Sequence, residues 1–137
     1  MKIYNFSKIK QVLMLLVLLT ISGCASSNFD LRIQADKLTN SGQPFYVVVK
    51  EDSMSNYINT SLLNAYQDYL SDSDSFLVYP SNDEQSISIA KSKDNGIAVY
   101  FLFQKNPKIN AWKYYINSDE QKDTLVKITN NNVIEVL

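Results

Sequence analysis

Beyond residue 28 the chain is cut into short runs of alternating apolar and polar residues, each closed by turn formers, and that punctuation admits little besides a β-rich fold. Residues 28–36 set the pattern: Phe29, Leu31, Ile33 and Ala35 fall on one face, and Asp30, Arg32, Gln34 and Asp36 on the other. A turn cluster follows, in which Gly42 can take positive φ and the side chains of Asn40 and Ser41 can bond their own backbone. Pro44 opens a second strand over 45–50, where Val47, Val48 and Val49 form the continuous apolar run of a covered strand. Six more strands are expected over 76–79, 85–91, 97–104, 111–117, 124–129 and 132–137. Pro80, Asn95-Gly96 and Asn106-Pro107 bracket them, and Asn130-Asn131 reads as a two-residue hairpin turn because Asn tolerates left-handed backbone.

The run over 97–103 is apolar on both faces, so it needs cover on both. Over 53–70 the period lengthens to about 3.6. Ile58, Leu62, Tyr66 and Tyr69 then share one stripe with Ala65 beside them, which predicts one amphipathic helix capped by Asn59 or Thr60. Alternation over 111–117 puts Trp112, Tyr114 and Ile116 on the inner face and leaves Tyr115 facing the helix. The expected fold is mainly β: a single domain over 29–137, a sandwich of about eight strands with one inserted amphipathic helix.

A different kind of segment precedes this domain. Lys2, Lys8 and Lys10 lead into an apolar run over 12–19, and Ser22-Gly23-Cys24 follows. The run is shorter than the ~20 residues a spanning helix needs, and basic, apolar and small residues come in the order of a signal peptide. The segment resembles a bacterial lipobox with Ile21 in the place of leucine. That resemblance implies cleavage after residue 23, a diacylglyceryl thioether on Cys24, and a short tether over 24–28. At ~0.8 kcal/mol per buried CH₂, several acyl chains hold a protein at a membrane without spanning it. Ala25 and Ser26 follow the cysteine where inner-membrane retention commonly uses aspartate, so the expected location is the outer membrane, facing the periplasm.

Composition narrows the chemistry. Of 13 basic and 14 acidic residues the leader removes three lysines and no acid, which leaves the remainder at a net charge of −4. With no basic patch, a nucleic-acid surface is not expected. Cys24 is the sole cysteine and histidine is absent, so the domain lacks a thiol nucleophile, the commonest general base and the commonest transition-metal ligand. Three glycines, one of them Gly23, cannot build a phosphate cradle. These features argue against an enzyme, and no cofactor is expected beyond the covalent lipid on Cys24. Asp72, Asp74, Asp83 and Glu84 do not match the spacing of a calcium loop, and they read as solvated acids.

Several stretches together resemble one family. Ala35-Asp36, then Ser41-Gly42-Gln43-Pro44, then Val47-Val48-Val49-Lys50 look like the Ser-Gly-Arg-Pro and valine-rich segment of the TssJ outer-membrane lipoproteins of type VI secretion systems. Tyr100-Phe101-Leu102-Phe103-Gln104-Lys105-Asn106-Pro107, followed by Trp112-Lys113, is similar to that family's apolar strand, proline turn and tryptophan strand. Leu38-Thr39 replaces the family's Asn-Pro, and Glu51-Asp52-Ser53 replaces its Tyr-Gln-Leu, departures that suggest the IglE-type branch. The resemblance implies a transthyretin-like sandwich acting as a non-catalytic connector. It also implies that the loop of Leu38, Thr39, Asn40, Ser41, Gly42 and Gln43 meets the periplasmic domain of an inner-membrane TssM/IcmF-like subunit. The rival reading is a periplasm-facing lipoprotein holding an apolar small molecule or lipid in a cavity lined by Phe101, Phe103 and Trp112. Because Cys24 is the sole acylation site, Cys24→Ser is expected to give a folded protein that moves from the membrane pellet to the soluble fraction; continued pelleting would refute the anchor.

Overall fold

The computed structural model describes residues 27–71, 74–105 and 111–137. Cys24 and the leader, Asp72 and the Asn106-Pro107 turn lie outside the described residues. The chain runs β1 (Asn28–Ala35), β2 (Phe45–Asp52), α1 (Met54–Asn59), α2 (Leu62–Leu70), β3 (Asp74–Val78), β4 (Glu84–Ala90), β5 (Gly96–Leu102), β6 (Lys113–Ile116), β7 (Thr124–Ile128) and β8 (Ile134–Val136). Among the described residues these eight strands follow the order expected from the punctuation, with ends moved by one or two residues.

Two four-stranded sheets form, ordered β4-β1-β7-β8 and β3-β2-β5-β6. Their inner faces close on one core, where Phe29, Leu31 and Ile33 of β1 share a cluster with Val47 and Val49 of β2 and Val99 and Phe101 of β5. The molecule is therefore a β-sandwich. Local alternation carries no information on strand direction. β7 runs parallel to β1, with Leu31 opposite Thr124 and Ala35 opposite Ile128, whereas β4 lies antiparallel on the other side.

Every residue of β5 is buried, as its two-faced apolarity requires. Ile97, Val99 and Phe101 face the sandwich core, while Ala98, Tyr100 and Leu102 join Val48, Ala65 and Trp112 in a second cluster beneath the helices. Burying a large apolar side chain stabilises by ~1.5–3 kcal/mol, so both covers matter to the fold.

The helical cover differs from the single helix expected over 53–70. Thr60 (φ −68°, ψ 117°) and Ser61 (φ −80°, ψ 163°) are extended and divide it into α1 and α2. The caps are Ser53 and Ser61 rather than Asn59 or Thr60: their hydroxyl oxygens accept from Asn56 N and Asn64 N, each at 3.2 Å. The break rotates the apolar stripe. Ile58 is 64% exposed, whereas Tyr57, Leu62, Ala65 and Tyr69 pack on the sheet. Lys113 secures the break, with Nζ donating to the carbonyl oxygens of Tyr57 (2.8 Å), Ile58 (3.1 Å) and Thr60 (3.2 Å). Partial burial at this position lowers its pKa.

Two further expectations change. Trp112 does not share the inner face with Tyr114 and Ile116 but packs beneath the helices, 5.7 Å from Tyr100 between ring centres. The β6 register begins at Lys113, and residues 111–112 form a turn, so strand alternation stops governing the side chain there. Tyr115 does meet the helical layer, 5.1 Å from Tyr57 between ring centres. The β7–β8 turn also differs from a two-residue Asn130-Asn131 loop. Thr129 N donates to Val133 O and Asn132 N to Thr129 O, which makes a three-residue loop with Asn132 left-handed at φ 60°.

Gly96 pairs with Asp52 at the end of β5, and the Tyr115 ring lies over it while Tyr115 Oη donates to Asp52 O at 2.9 Å. A Cβ on residue 96 would overlap that ring. Gly96→Ala is therefore expected to destabilise by about 1–3 kcal/mol, read from the urea midpoint. An unchanged midpoint would show that the ring can swing aside.

Candidate functional site

The loop between β1 and β2 turns where its residues permit left-handed backbone. Asn40 (φ 52°, ψ 36°), Ser41 (φ 58°, ψ 31°) and Gly42 (φ 75°) are left-handed in succession. Asn and Gly visit this region readily, but for Ser41 it costs roughly 1–2 kcal/mol. The turn is therefore not stable on local preferences alone.

Its stabilisation comes from distant segments. Asn40 Oδ1 accepts from Gln104 N at 2.7 Å, and Asn40 Nδ2 donates to the carbonyl oxygens of Gln43 (3.0 Å) and Pro44 (2.9 Å). Asn40 N donates to Asn132 Oδ1 at 2.7 Å, and Asn132 Nδ2 donates to Lys105 O at 3.0 Å. Thr39 Oγ1 lies 3.0 Å from both Ile128 O and Thr129 O, and Leu38 N donates to Asn130 Oδ1 at 3.2 Å. Asp36 N reaches Ile128 O at 2.9 Å, so the β1–β7 pairing runs directly into the turn.

These bonds sort the six expected contact residues into two groups. Thr39 and Asn40 are interior, at 0% and 2% exposed. Leu38, Ser41, Gly42 and Gln43 face solvent, Leu38 at 64%. The cross-linking weight on Asn40 was not legible locally, because two of its partners, Gln104 and Asn132, sit 64 and 92 residues away.

The other candidates resolve differently. Asp74 opens β3 opposite Val49, while Asp83 and Glu84 lie beyond the far end of that strand, so these acids do not converge; Glu84 pairs instead with Arg32 at 3.5 Å. Among the described residues no group of three or more His, Cys, Asp or Glu is placed to hold a metal ion. The apolar-ligand cavity loses its proposed lining. Phe101 and Phe103 belong to the sandwich core and Trp112 to the helical layer, on opposite faces of one sheet.

Sequence reasoning did not find a polar cleft of about 410 Å³ lined by Lys50, Asp52, Asn56, Asn59, Thr60, Asn64, Gln67 and Asp68. Its only local signal was the continuation of β2 into Lys50-x-Asp52. Lys50 Nζ bridges Asp68 (3.2 Å) and Asp52 (3.6 Å). Partial burial works against its charge, but the hydrogen bond and charge of Asp68, with Asp52, outweigh it and raise its pKa. Beneath lies the Tyr100 hydroxyl. Burial raises its pKa, the adjoining Thr60 hydroxyl donates instead to Asn56 O, and among the described residues no hydrogen bond of good geometry reaches Tyr100 Oη.

The family model described as IglE, N-terminal domain, matches residues 46–130. The chain belongs to that family. No curated protein matches it significantly in sequence. Among solved structures it is similar to one described as the T6SS protein TssM C-terminal domain (869–1107) from EAEC, at TM-score 0.63 and 16% identity, covering 80% of this chain and 97% of that one. It is also similar to Serratia marcescens Lip, a membrane-bound component of the type VI secretion system, at TM-score 0.65, 16% identity and coverages of 81% and 97%. The T6SS lipoprotein TssJ1 from Pseudomonas aeruginosa matches at TM-score 0.61, 12% identity and coverages of 82% and 95%. The IglE family member thus has the β-sandwich fold of TssJ-type lipoproteins, as the motif resemblance implied. No helix among the described residues is long and apolar enough to cross a membrane.

Thr39→Val keeps shape but removes the hydroxyl that lies between Ile128 O and Thr129 O, which retain Asp36 N and Asn132 N as donors. It is expected to destabilise by about 1 kcal/mol, whereas Leu38→Ala should stay within about 0.5 kcal/mol. Equal melting temperatures for the two variants would contradict the sorting of this loop into interior and exterior residues.

Proposed function

We propose that this IglE family member is a lipid-anchored, non-catalytic subunit of a type VI secretion membrane complex. In this reading it holds the periplasmic domain of an inner-membrane TssM/IcmF-like subunit against the outer membrane. The observation that carries the reading is the polarity of β1. Ser27, three residues beyond Cys24, lies at one end, its carbonyl oxygen accepting from Lys91 N at 3.0 Å. The left-handed loop lies at the other end, so eight strand residues at ~3.3 Å each hold it ~25 Å from the tether. A lipid on Cys24 would keep the tether end at the bilayer and leave the loop pointing into the periplasm.

Family membership, the shared fold with membrane-bound T6SS lipoproteins and the lipobox residues support the same assignment. Contact falls to the outward residues Leu38, Ser41, Gly42 and Gln43, with exposed Leu38 as the apolar anchor in a polar surround. Leu38→Ser combined with Gln43→Ser spares Thr39 and Asn40. It is expected to abolish co-purification with the inner-membrane subunit while leaving the melting temperature nearly unchanged. Undiminished co-purification would remove this loop from the interface.

A further inference from the structure

Asn40 presents almost no surface, yet its amide group and backbone N–H make four hydrogen bonds across the pole opposite the tether. The side-chain oxygen of Asn132 accepts one of those four, from Asn40 N, and its nitrogen makes one further link, to Lys105 O. The pair joins three stretches far apart in the chain: the β1–β2 loop, residues 104–105 after β5, and the tip of the β7–β8 turn. We infer that Asn40 and Asn132 are positioning residues for partner binding, which lock Leu38, Ser41 and Gln43 to the β7–β8 tip as one platform that the partner reads as a unit.

The inference rests on the loop being the partner contact, and it explains why the turn spends unfavourable backbone at Ser41. Freed of its ties the turn would relax toward right-handed or extended conformers. The apparent dissociation constant rises by the inverse of the population that keeps the binding geometry, so loosening the platform weakens binding without removing any contacting side chain. Asn132 itself sits at φ 60°, a conformation that glycine adopts freely. Asn132→Gly therefore removes both links without straining the backbone, and Asn132→Asp keeps the acceptor for Asn40 N but loses the donor to Lys105 O.

The test uses the acylated full-length protein in detergent and the inner-membrane subunit isolated from the same membranes, with affinity, melting temperature and amide exchange at Asn40 and Gln104 measured together. Asn132→Gly is expected to stay folded, to exchange faster at both amides and to bind at least about tenfold more weakly. Asn132→Asp should fall between it and wild type. A folded variant at 25 °C has a negligible unfolded fraction, so simple destabilisation cannot produce a tenfold loss. Wild-type affinity in Asn132→Gly, with accelerated exchange, would overturn the positioning role; if Leu38→Ser/Gln43→Ser still lost binding, the loop contact itself would stand. Wild-type affinity in both would overturn the loop contact and the positioning role together.

Discussion

The fold depends on hiding both faces of β5. Its seven residues carry no polar face to give to water, and a sheet strand can be covered on two sides only if something packs on each. The second sheet supplies one cover through β1 and β7, and the two short helices supply the other. The two covers are built differently. The sandwich core is made of aliphatic residues and phenylalanines, whereas the helical layer is rich in tyrosine, whose rings bury their bodies and direct hydroxyls to backbone oxygens such as Lys113 O, Phe103 O and Asp52 O. Tyr100 departs from this pattern, since among the described residues its buried hydroxyl finds no partner.

Sandwich geometry also separates the ends of the molecule. β1 begins beside Ser27 and ends at the left-handed turn, and its parallel partner β7 brings the β7–β8 turn to the same pole. A parallel neighbour matters here, because β1 and β7 then deliver their C-terminal ends side by side. Thr39 can reach the carbonyl oxygens of Ile128 and Thr129 only for that reason. The pole is thus a consequence of strand direction, and asparagines cross-link three chain segments there.

Much of this was readable from order and period. Alternation located the strands, the two-faced run located the central one, and Ser22-Gly23-Cys24 with the valine and tryptophan segments pointed to the family. The errors share a cause. The 3.6 period over 53–70 continues across Thr60-Ser61, but Ser61 caps a new helix at Asn64 N, and Lys113 from a distant strand collects the freed carbonyl oxygens. Trp112 sits one residue outside its ladder, where alternation no longer applies. Leu38 and Gln43 are exposed, whereas Thr39 and Asn40 of the same expected contact loop are buried, and in a turn motif they look the same whether or not something distant claims their polar groups.

By itself the sequence determined the local quantities: which segments are extended, which faces are apolar, where the chain can turn left-handed, and that Cys24 follows basic, apolar and small residues in that order. These follow from side-chain volume, backbone sterics and period, which act within a few residues. Tertiary structure alone decided that β7 runs parallel to β1, that Trp112 faces the helices, and that Asn40 turns inward as a cross-link instead of outward as a contact. Each of those depends on hydrogen-bond partners or packing surfaces tens of residues away, and no local preference distinguishes an asparagine that will be claimed from one that will be left to water.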